Sequence, residues 1–318
     1  MMFLSSIPKT ITPGETFTFS LHVRHHPTSQ LLTTVLIEVI GIEHTMADNW
    51  STSTPSSRMF SCLNTVCSVD KTISTEEEEI PLSIQIPTMI YDSSKLVYCT
   101  LPPTVGSSLQ IGNPTKGVCV QYFLQVRAPI GTGLAQQEIT ILPNETGFNI
   151  DRFVDISGNS LNRQYSTTTR LHDGLFGNIN KGTVSLSGEI ISGAQGEASF
   201  NLNFLYAPPL PFSVSFKIYQ THYSSHQGMG QILDATKVTQ MRRIKAQTED
   251  VLGFIWEAKT GVLSFPYTLD NDCVPNFVGV TTAVSYLFEV CLKFSCGSVK
   301  LSVPLVLGEV SSAPPAYH

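Results

Sequence analysis

The sequence predicts an all-β protein built from two tandem antiparallel β-sandwiches, and three observations lead to this prediction. Apolar and polar residues alternate with a period of two along most of the chain, as half-buried strands require. The chain has 318 residues, more than the ~250–300 at which a single hydrophobic core stops growing. Two segments of the first half also reappear, in the same order, in the second half.

The clearer repeat joins Val120–Val126, which reads VQYFLQV, to Val284–Val290, which reads VSYLFEV and lies 164 positions later. The second repeat joins Pro13-Gly14-Glu15 to Gly196-Glu197, and each of these turns leads into a run of alternating apolar residues. Each repeat is short, but their common order indicates that the same fold occurs twice in the chain.

The first half contains several alternating runs that are bounded by Gly, Pro, Asn or Ser, and these runs are predicted to be strands. Thr16–Val23 is the clearest, because every second residue from Phe17 to Val23 is apolar. The other predicted strands are Thr33–Ile40, Leu82–Ile86, Val118–Val126 and Glu138–Leu142. Between them, the Ser/Thr-rich stretch Trp50–Lys71 predicts a long surface loop.

The second half repeats the alternating pattern after Pro143–Lys181, a stretch without a sustained period that predicts a linker. Gln240–Gln247 has fair helix formers and only a weak apolar stripe, so residues 239–251 are ambiguous between helix and strand. The predicted strands are Val184–Ile191, Ala198–Tyr206, Phe212–His222, Lys237–Ala246, Val251–Ala258, Ala283–Phe294 and Val299–Leu307.

These elements predict four regions of the chain. An N-terminal sandwich occupies residues 1–145, and a linker or irregular edge segment occupies residues 146–181. A C-terminal sandwich occupies residues 182–310, and an exposed tail occupies residues 311–318. Many short strands separated by Gly/Pro turns are typical of immunoglobulin-like sandwiches.

Composition limits the classes of function. The formal charge is −6 and only 14% of residues are charged, so binding to a nucleic-acid backbone is disfavoured. Seven cysteines without a dense framework indicate reduced thiols rather than disulfides. We find no apolar run long enough to span a bilayer and no basic signal-peptide start, so we expect a cytosolic protein.

The motifs resemble those of the arrestin family, most closely its α-arrestin branch, over nearly the whole chain. The N-terminal sandwich of that family opens with a Pro-Gly-Glu turn and closes with a Tyr-containing strand, matched by Pro13-Gly14-Glu15 and Val120–Val126. Its C-terminal sandwich ends with a Val-Ser-Tyr strand and then a Val-Pro-apolar-Gly segment, matched by Val284-Ser285-Tyr286 and Val303–Gly308. The chain departs from the pattern in four ways. The opening strand is expected to be shortened to Met2–Ile7 or lost, and the second turn reads Gln195-Gly196-Glu197. The long α-arrestin tail is missing, and the charged core that senses receptor phosphates has no counterpart.

The tail contains a P-P-x-Y motif formed by Pro314, Pro315 and Tyr317. Consecutive prolines favour a polyproline II helix, which docks in the aromatic groove of a WW domain with the tyrosine on the same face. The resemblance implies that this motif recruits a WW-domain HECT ubiquitin ligase. The alternative is a proline-rich tail without a partner.

Five cations are candidates for binding acidic or phosphorylated cargo, and the alternative is that they are dispersed surface charges. They are Arg24, Arg127, Arg242, Arg243 and Lys245. The acidic run Glu76–Glu79 predicts a solvated loop, with an electrostatic contact to basic cargo as the alternative. His22, His25 and His26 lack a fourth ligand, so no metal site is predicted.

Enzyme signatures are absent from the sequence. It contains no nucleophile elbow, phosphate-binding Walker loop or zinc-protease motif, and no nucleophile–base pair can be located from spacing. We therefore expect a protein without catalytic activity or cofactor.

The expected function is that of a non-catalytic adaptor in trafficking and ubiquitination. The resemblance implies that it binds cytosolic segments of membrane proteins at the plasma membrane or endosomes and presents its tail to a ligase. The alternative is a coat subunit similar to the arrestin-fold cargo subunit of retromer, in which the P-P-x-Y motif has no role.

Overall fold

The computed structural model divides the chain into two compact units. The first comprises Met1–Asn144, Tyr223–Thr239 and Phe277–Ala283, and the second comprises Glu145–His222, Gln240–Asn276 and Val284–His318. The structure describes residues 2–23, 30–46, 55–73, 77–92, 97–105, 118–128, 134–142, 164–173, 179–205, 210–225, 238–248, 251–254, 259–270, 273, 276–278 and 282–307.

The described residues form strands and contain no helix, which confirms the predicted all-β class with tandem sandwiches. The strands before residue 145 are β1 Met2–Ser5, β2 Thr10–Ile11, β3 Thr16–Val23, β4 Gln30–Met46, β5 Pro55–Ile73, β6 Glu78–Gln85, β7 Met89–Asp92, β8 Val97–Thr100, β9 Val118–Arg127 and β10 Leu134–Ile141.

The later strands build a four-stranded sheet and a seven-stranded sheet. They are β11 Gln164–Asp173, β12 Ile179–Glu189, β13 Ile191–Ser192, β14 Gln195–Leu205, β15 Phe212–Ser225, β16 Val238–Gln247, β17 Val251–Phe254, β18 Thr260–Thr268, β19 Phe277–Val278, β20 Thr282–Phe294 and β21 Gly297–Val306.

The strand orders support the duplication read from the sequence. The five-stranded sheet has the order β2-β10-β9-β4-β5, and the main path of the seven-stranded sheet is β13-β21-β20-β15-β16, so each strand corresponds to one eleven places later. The smaller sheets have the orders β1-β3-β6 and β11-β12-β14-β18. In the five-stranded and seven-stranded sheets the first strand pairs in parallel with its neighbour, whereas the pairs β9–β10, β4–β9, β4–β5 and β20–β21 are antiparallel.

The two sequence repeats occupy equivalent places in these sheets. Val120–Val126 lies in β9 and Val284–Val290 lies in β20, and the tyrosine of each is buried, Tyr122 at 0% and Tyr286 at 1% exposure. Gly14 has φ 88° in the turn before β3, where a residue without a Cβ is favoured. In the second unit the corresponding positive φ, 96°, belongs to Gly193, and Gly196 already lies within β14. This shift explains why the second turn does not read Pro-Gly-Glu.

The structure corrects several local predictions. Trp50–Lys71, expected to be a surface loop, instead contributes most of the edge strand β5. Residues 146–181, expected to be a linker or an irregular edge segment, contain β11, an edge strand of the four-stranded sheet with one irregularity between Leu171 and His172, so the second alternative describes this part of the chain. In the ambiguous segment 239–251, residues 239–247 lie in β16 and Val251 begins β17, so these residues are extended, and β18 was not predicted at all.

An aromatic cluster joins the two sheets of the second sandwich. Phe288 on β20 is fully buried, and its ring centroid lies 4.8 Å from that of Phe216 and 5.7 Å from that of Phe200. Phe265 and Tyr267 on β18 complete the cluster at 6.4 and 5.7 Å from Phe288. Burial of these large rings is the main stabilising contribution to this core.

Two glycines in this sandwich give a matched test of the packing. A Cβ at Gly188 would lie 2.7 Å from Cδ1 of the buried Phe200 ring, whereas a Cβ at Gly196 would approach Tyr267 no closer than 3.5 Å. We expect Gly188→Ala to lower the free energy of unfolding by about 1–3 kcal/mol through overpacking. We expect Gly196→Ala to change it by less than about 1 kcal/mol. Urea denaturation measures both, and equal losses would contradict the close approach at Gly188.

Candidate binding surfaces

The candidate cations lie on different sheets. Arg127 ends β9 in the five-stranded sheet, whereas Arg242, Arg243 and Lys245 belong to β16 in the seven-stranded sheet. Lys245 is partly exposed, and its neighbour Ile244 is 50% exposed. Arg24 and the tail residues Pro314, Pro315 and Tyr317 lie outside the described residues. No single sheet therefore carries all of the described cations.

The outer face of the five-stranded sheet is a candidate binding surface, and the cross-strand pairs of β5, β4, β9 and β10 define its side-chain positions. Along β4, Val35, Ile37 and Val39 point into the core with 0% exposure, so the alternate residues Leu36, Glu38 and Ile40 face outward. Cross-strand register then orders the outward side chains in rows that run across the sheet. The first row is Val66, Leu36, Arg127 and Leu134, the second is Asn64, Glu38, Gln125 and Gln136, and the third is Ser61, Ile40, Phe123 and Glu138.

Apolar side chains are concentrated on this sheet. Val66 and Met59 on β5 are 64% and 66% exposed, Leu31 on β4 is 61% exposed and Leu134 on β10 is 46% exposed. These are four of the eight large apolar side chains that are exposed among the described residues. Exposed apolar groups on one sheet mark a surface for interaction more often than scattered ones do.

Arg127 has a charge partner on this face. Its Nε lies 3.3 Å from Oε2 of Glu38, and the Arg127 side chain is 56% exposed while that of Glu38 is 19% exposed. An exposed pair of this kind contributes only about 0–1 kcal/mol to stability. An incoming carboxylate or phosphate would have to compete with Glu38, so Arg127 is a weaker anion site than its sequence position suggests.

The polar row beside this ion pair contains an amide acceptor without a donor. Gln125 Oε1 is buried and accepts no hydrogen bond from the described part of the chain. Gln121, on the same strand, donates from Nε2 to Glu138 Oε1 at 3.2 Å. Buried polar atoms normally find a partner, so Gln125 Oε1 is an exception on this face.

The acidic run is more ordered than the predicted solvated loop. Glu76 lies outside the described residues, but Glu78 and Glu79 begin strand β6. Glu78 Oε2 lies 3.1 Å from Lys71 Nζ, and Glu79 Oε1 accepts a 2.6 Å hydrogen bond from Ser20. Glu77 Oε1 lies 3.0 Å from Nδ1 of His22. These contacts leave less negative charge available to a basic cargo segment.

The other reactive groups do not assemble a metal centre. Among the residues described, no group of three or more His, Cys, Asp or Glu side chains is placed to hold a metal ion, and His25 and His26 lie outside that set. Burial raises the pKa of the Cys62 thiol far above its usual value, which keeps it protonated and unreactive. Burial and then Glu138 raise the pKa of Cys119 in the same direction.

Comparison with known proteins gives no family for the chain, since no family model and no curated protein matches it. Within the described residues there is also no helix that is long and apolar enough to cross a membrane.

Proposed function

We propose that this protein is an adaptor of the α-arrestin type, which binds cytosolic segments of membrane proteins and recruits a WW-domain HECT ubiquitin ligase. The duplicated sandwich pair carries the proposal, because the same strand order occurs twice and the Tyr-containing repeats occupy equivalent central strands. The motifs that resemble α-arrestins lie at the turn before β3 and in β9, β20 and β21. Since a fold alone does not define a function, the tail motif supplies the second argument.

The ligase contact is assigned to Pro314, Pro315 and Tyr317. Pro314 is six positions after Gly308, so the motif can lie at most about 20 Å from that glycine. The ligase domain would then be held close to the second sandwich, at a high effective concentration relative to bound cargo. One motif provides no avidity, so recruitment by a single WW domain should be weak.

The cargo contact is assigned to the outer face of the five-stranded sheet. Its first row contains the apolar residues Val66, Leu36 and Leu134, and its third row contains Ile40 and Phe123. A row of polar side chains lies between them. An extended segment with alternating apolar and polar residues would complement such rows. The candidate cations Arg127, Arg242, Arg243 and Lys245 would contribute steering of acidic segments rather than most of the affinity.

Affinity capture from cells with the full chain tests this proposal. We expect a HECT ligase to be captured by the intact chain and by the control Ala316→Ser, which changes the variable position of the motif. We expect Tyr317→Ala to lose the ligase and keep membrane cargo, whereas Phe123→Glu should lose cargo and keep the ligase. Gln136→Glu adds the same charge to the polar row and serves as the control for Phe123→Glu.

Two outcomes would contradict the proposal. Ligase capture that is unchanged by Tyr317→Ala would remove the role of the tail. Loss of the ligase without any loss of cargo sorting, on truncation of Ala313–His318, would instead favour a retromer-type coat subunit.

A further inference from the structure

The described residues contain a hydrogen-bonded array of a serine, a histidine and a glutamate on the outer face of the three-stranded sheet. Ser5 is the last residue of β1 and His22 lies on the adjacent strand β3. Ser5 Oγ is 2.7 Å from His22 Nε2, and His22 Nδ1 is 3.0 Å from Glu77 Oε1. The antiparallel register pairs Phe3 with His22 and Ser5 with Ser20, so both members of the first contact point to the same side of the sheet.

These contacts assign a role to each ring nitrogen when the imidazole is neutral. The ionised carboxylate of Glu77 can only accept, so Nδ1–H donates a hydrogen bond to Oε1. Nε2 of the neutral ring then has a free lone pair and accepts a hydrogen bond from the Ser5 hydroxyl. A nucleophile bound to a base that is oriented by a third group is the arrangement that activates a serine.

The imidazole is held in place by packing. The Phe3 ring stacks on it at a centroid distance of 4.5 Å and an interplanar angle of 6°, and the His22 side chain is only 15% exposed. Glu79 lies opposite His22 in the register of β6, and its Oε1 accepts a hydrogen bond from Ser20. Two carboxylates near the ring, from Glu77 and Glu79, would stabilise the positive charge that forms when Nε2 takes up a proton.

The backbone beside the serine is strained. Ser6, the residue directly after Ser5, has φ 59°, in the left-handed region that is uncommon for a residue other than glycine. Strain of this kind costs on the order of 1–3 kcal/mol and is concentrated at functional sites. The positive φ of Ser6 is independent of the hydrogen bonds of Ser5, and it places Ser5 directly before an unusual backbone conformation.

We propose that Ser5 is a nucleophile that accepts acyl groups from small activated esters, with His22 as general base and Glu77 as the group that orients it. Ser5 Oγ attacks the ester carbonyl carbon while its proton passes to His22 Nε2. The carbon–oxygen bond to the leaving group then breaks, and the departing alcohol takes that proton. Water, deprotonated by Nε2, hydrolyses the acyl-serine and releases the acid with Ser5 restored.

The array lies on the outer face of a sheet, which is why small esters are proposed as its substrates. The same contacts would also anchor β1 to β3 without any reactivity, and the test must separate these two roles. The proposal does not depend on the adaptor function, because none of its residues belongs to the tail or to the outer face of the five-stranded sheet.

Labelling of the full chain with a fluorophosphonate probe, followed by peptide mass mapping, tests the proposal. The probe transfers its phosphonyl group to an activated serine oxygen and releases fluoride. We expect the label on Ser5, at a rate about 10²-fold above that of Ser199, since a positioned general base contributes about that factor or more. Ser199 is the matched control because its Oγ lies 3.2 Å from Ser264 Oγ, a hydroxyl without a ring nitrogen.

Variants decide between reactivity and anchoring. We expect His22→Gln to reduce labelling of Ser5 to the rate of Ser199, and Glu77→Gln to reduce it about tenfold through loss of ring orientation. Circular dichroism identifies any variant that fails to fold. If His22→Gln does not fold, Glu77→Gln still tests the proposal, because Glu77 is partly exposed. Labelling of Ser5 no faster than that of Ser199, or unaffected by Glu77→Gln in the folded protein, would overturn the proposal.

Discussion

Phe288→Ala should lower the free energy of unfolding of the second unit by about 3–5 kcal/mol, as expected for removing a buried aromatic ring. The side chain has 0% exposure and contacts rings from both sheets of its sandwich. Truncation would remove contacts with Phe216, Phe200, Phe265 and Tyr267 at once and leave a cavity that four rings line. The strands are fixed by their ladders, so the cavity can collapse only in part.

Chemical denaturation followed by circular dichroism measures this loss. Val262→Ala is the control in the same sandwich, because Val262 is 58% exposed and should change stability by less than about 0.5 kcal/mol. A loss for Phe288→Ala no greater than that for Val262→Ala would show that the aromatic cluster is not the core of this unit.

Tyr122→Ala should have an effect of the same size in the first unit, about 3–5 kcal/mol. Tyr122 has 0% exposure, its ring packs edge-on against Phe60 at 6.0 Å, and its hydroxyl donates a 2.5 Å hydrogen bond to the carbonyl of Pro102. Tyr122→Phe keeps the ring and leaves that carbonyl without its donor, so it should cost about 1–3 kcal/mol. The difference between the two variants separates packing from hydrogen bonding.

The same tyrosine makes the stability of the first unit sensitive to alkaline pH. Burial raises the pKa of the Tyr122 hydroxyl well above its usual value, with the nearby Cys62 and Glu43 adding to the rise. The unfolded chain loses this proton near pH 10, whereas the folded chain retains it, so stability falls as pH rises above about 10. The slope from this one group approaches about 1.4 kcal/mol per pH unit.

Denaturation of the wild-type protein and of Tyr122→Phe between pH 8 and pH 11 measures this dependence. We expect the two proteins to have parallel pH profiles below pH 10 and the variant to lose less stability above it. Identical slopes above pH 10 would show that the hydroxyl is not held in its protonated form by burial.

The sequence was sufficient to predict those parts of the fold in which alternation is regular. Thr16–Val23 was predicted with its observed bounds, because its inward residues are apolar and its outward residues are mostly Thr, Ser or His. The duplication was visible because strands β9 and β20 lie inside their sheets and each carries a buried tyrosine, Tyr122 and Tyr286. Both signals come from burial on one face of a sheet.

Edge strands were missed because burial does not constrain them in the same way. β5 was assigned to a loop, since Ser and Thr are frequent in it and its alternation is interrupted where the register shifts opposite Val39 and Ile40. β11 is also an edge strand, and its polar sequence QYSTTTRLHD is the reason that the sequence alone leaves residues 146–181 open between a linker and an irregular edge segment. An edge strand has one neighbour, so polar residues cost it little.

The candidate sites were harder to predict than the fold. Ser5 and His22 are 17 positions apart and Glu77 is 55 positions from His22, so no local spacing connects them. Only the pairing of β1 with β3 brings the first two together. Arg127 was selected as a cation, but its proximity to Glu38 depends on the pairing of β4 with β9. Charges that neutralise each other across strands are not apparent from sequence order.

Titration of the purified full chain with a labelled WW domain tests whether Pro314, Pro315 and Tyr317 are a ligand for such a domain. We expect saturable binding that Ala316→Ser leaves unchanged and that Tyr317→Ala weakens about 30-fold, the effect of losing about 2 kcal/mol from an aromatic anchor. Equal affinity for the intact chain and Tyr317→Ala, or no binding by either, would contradict it.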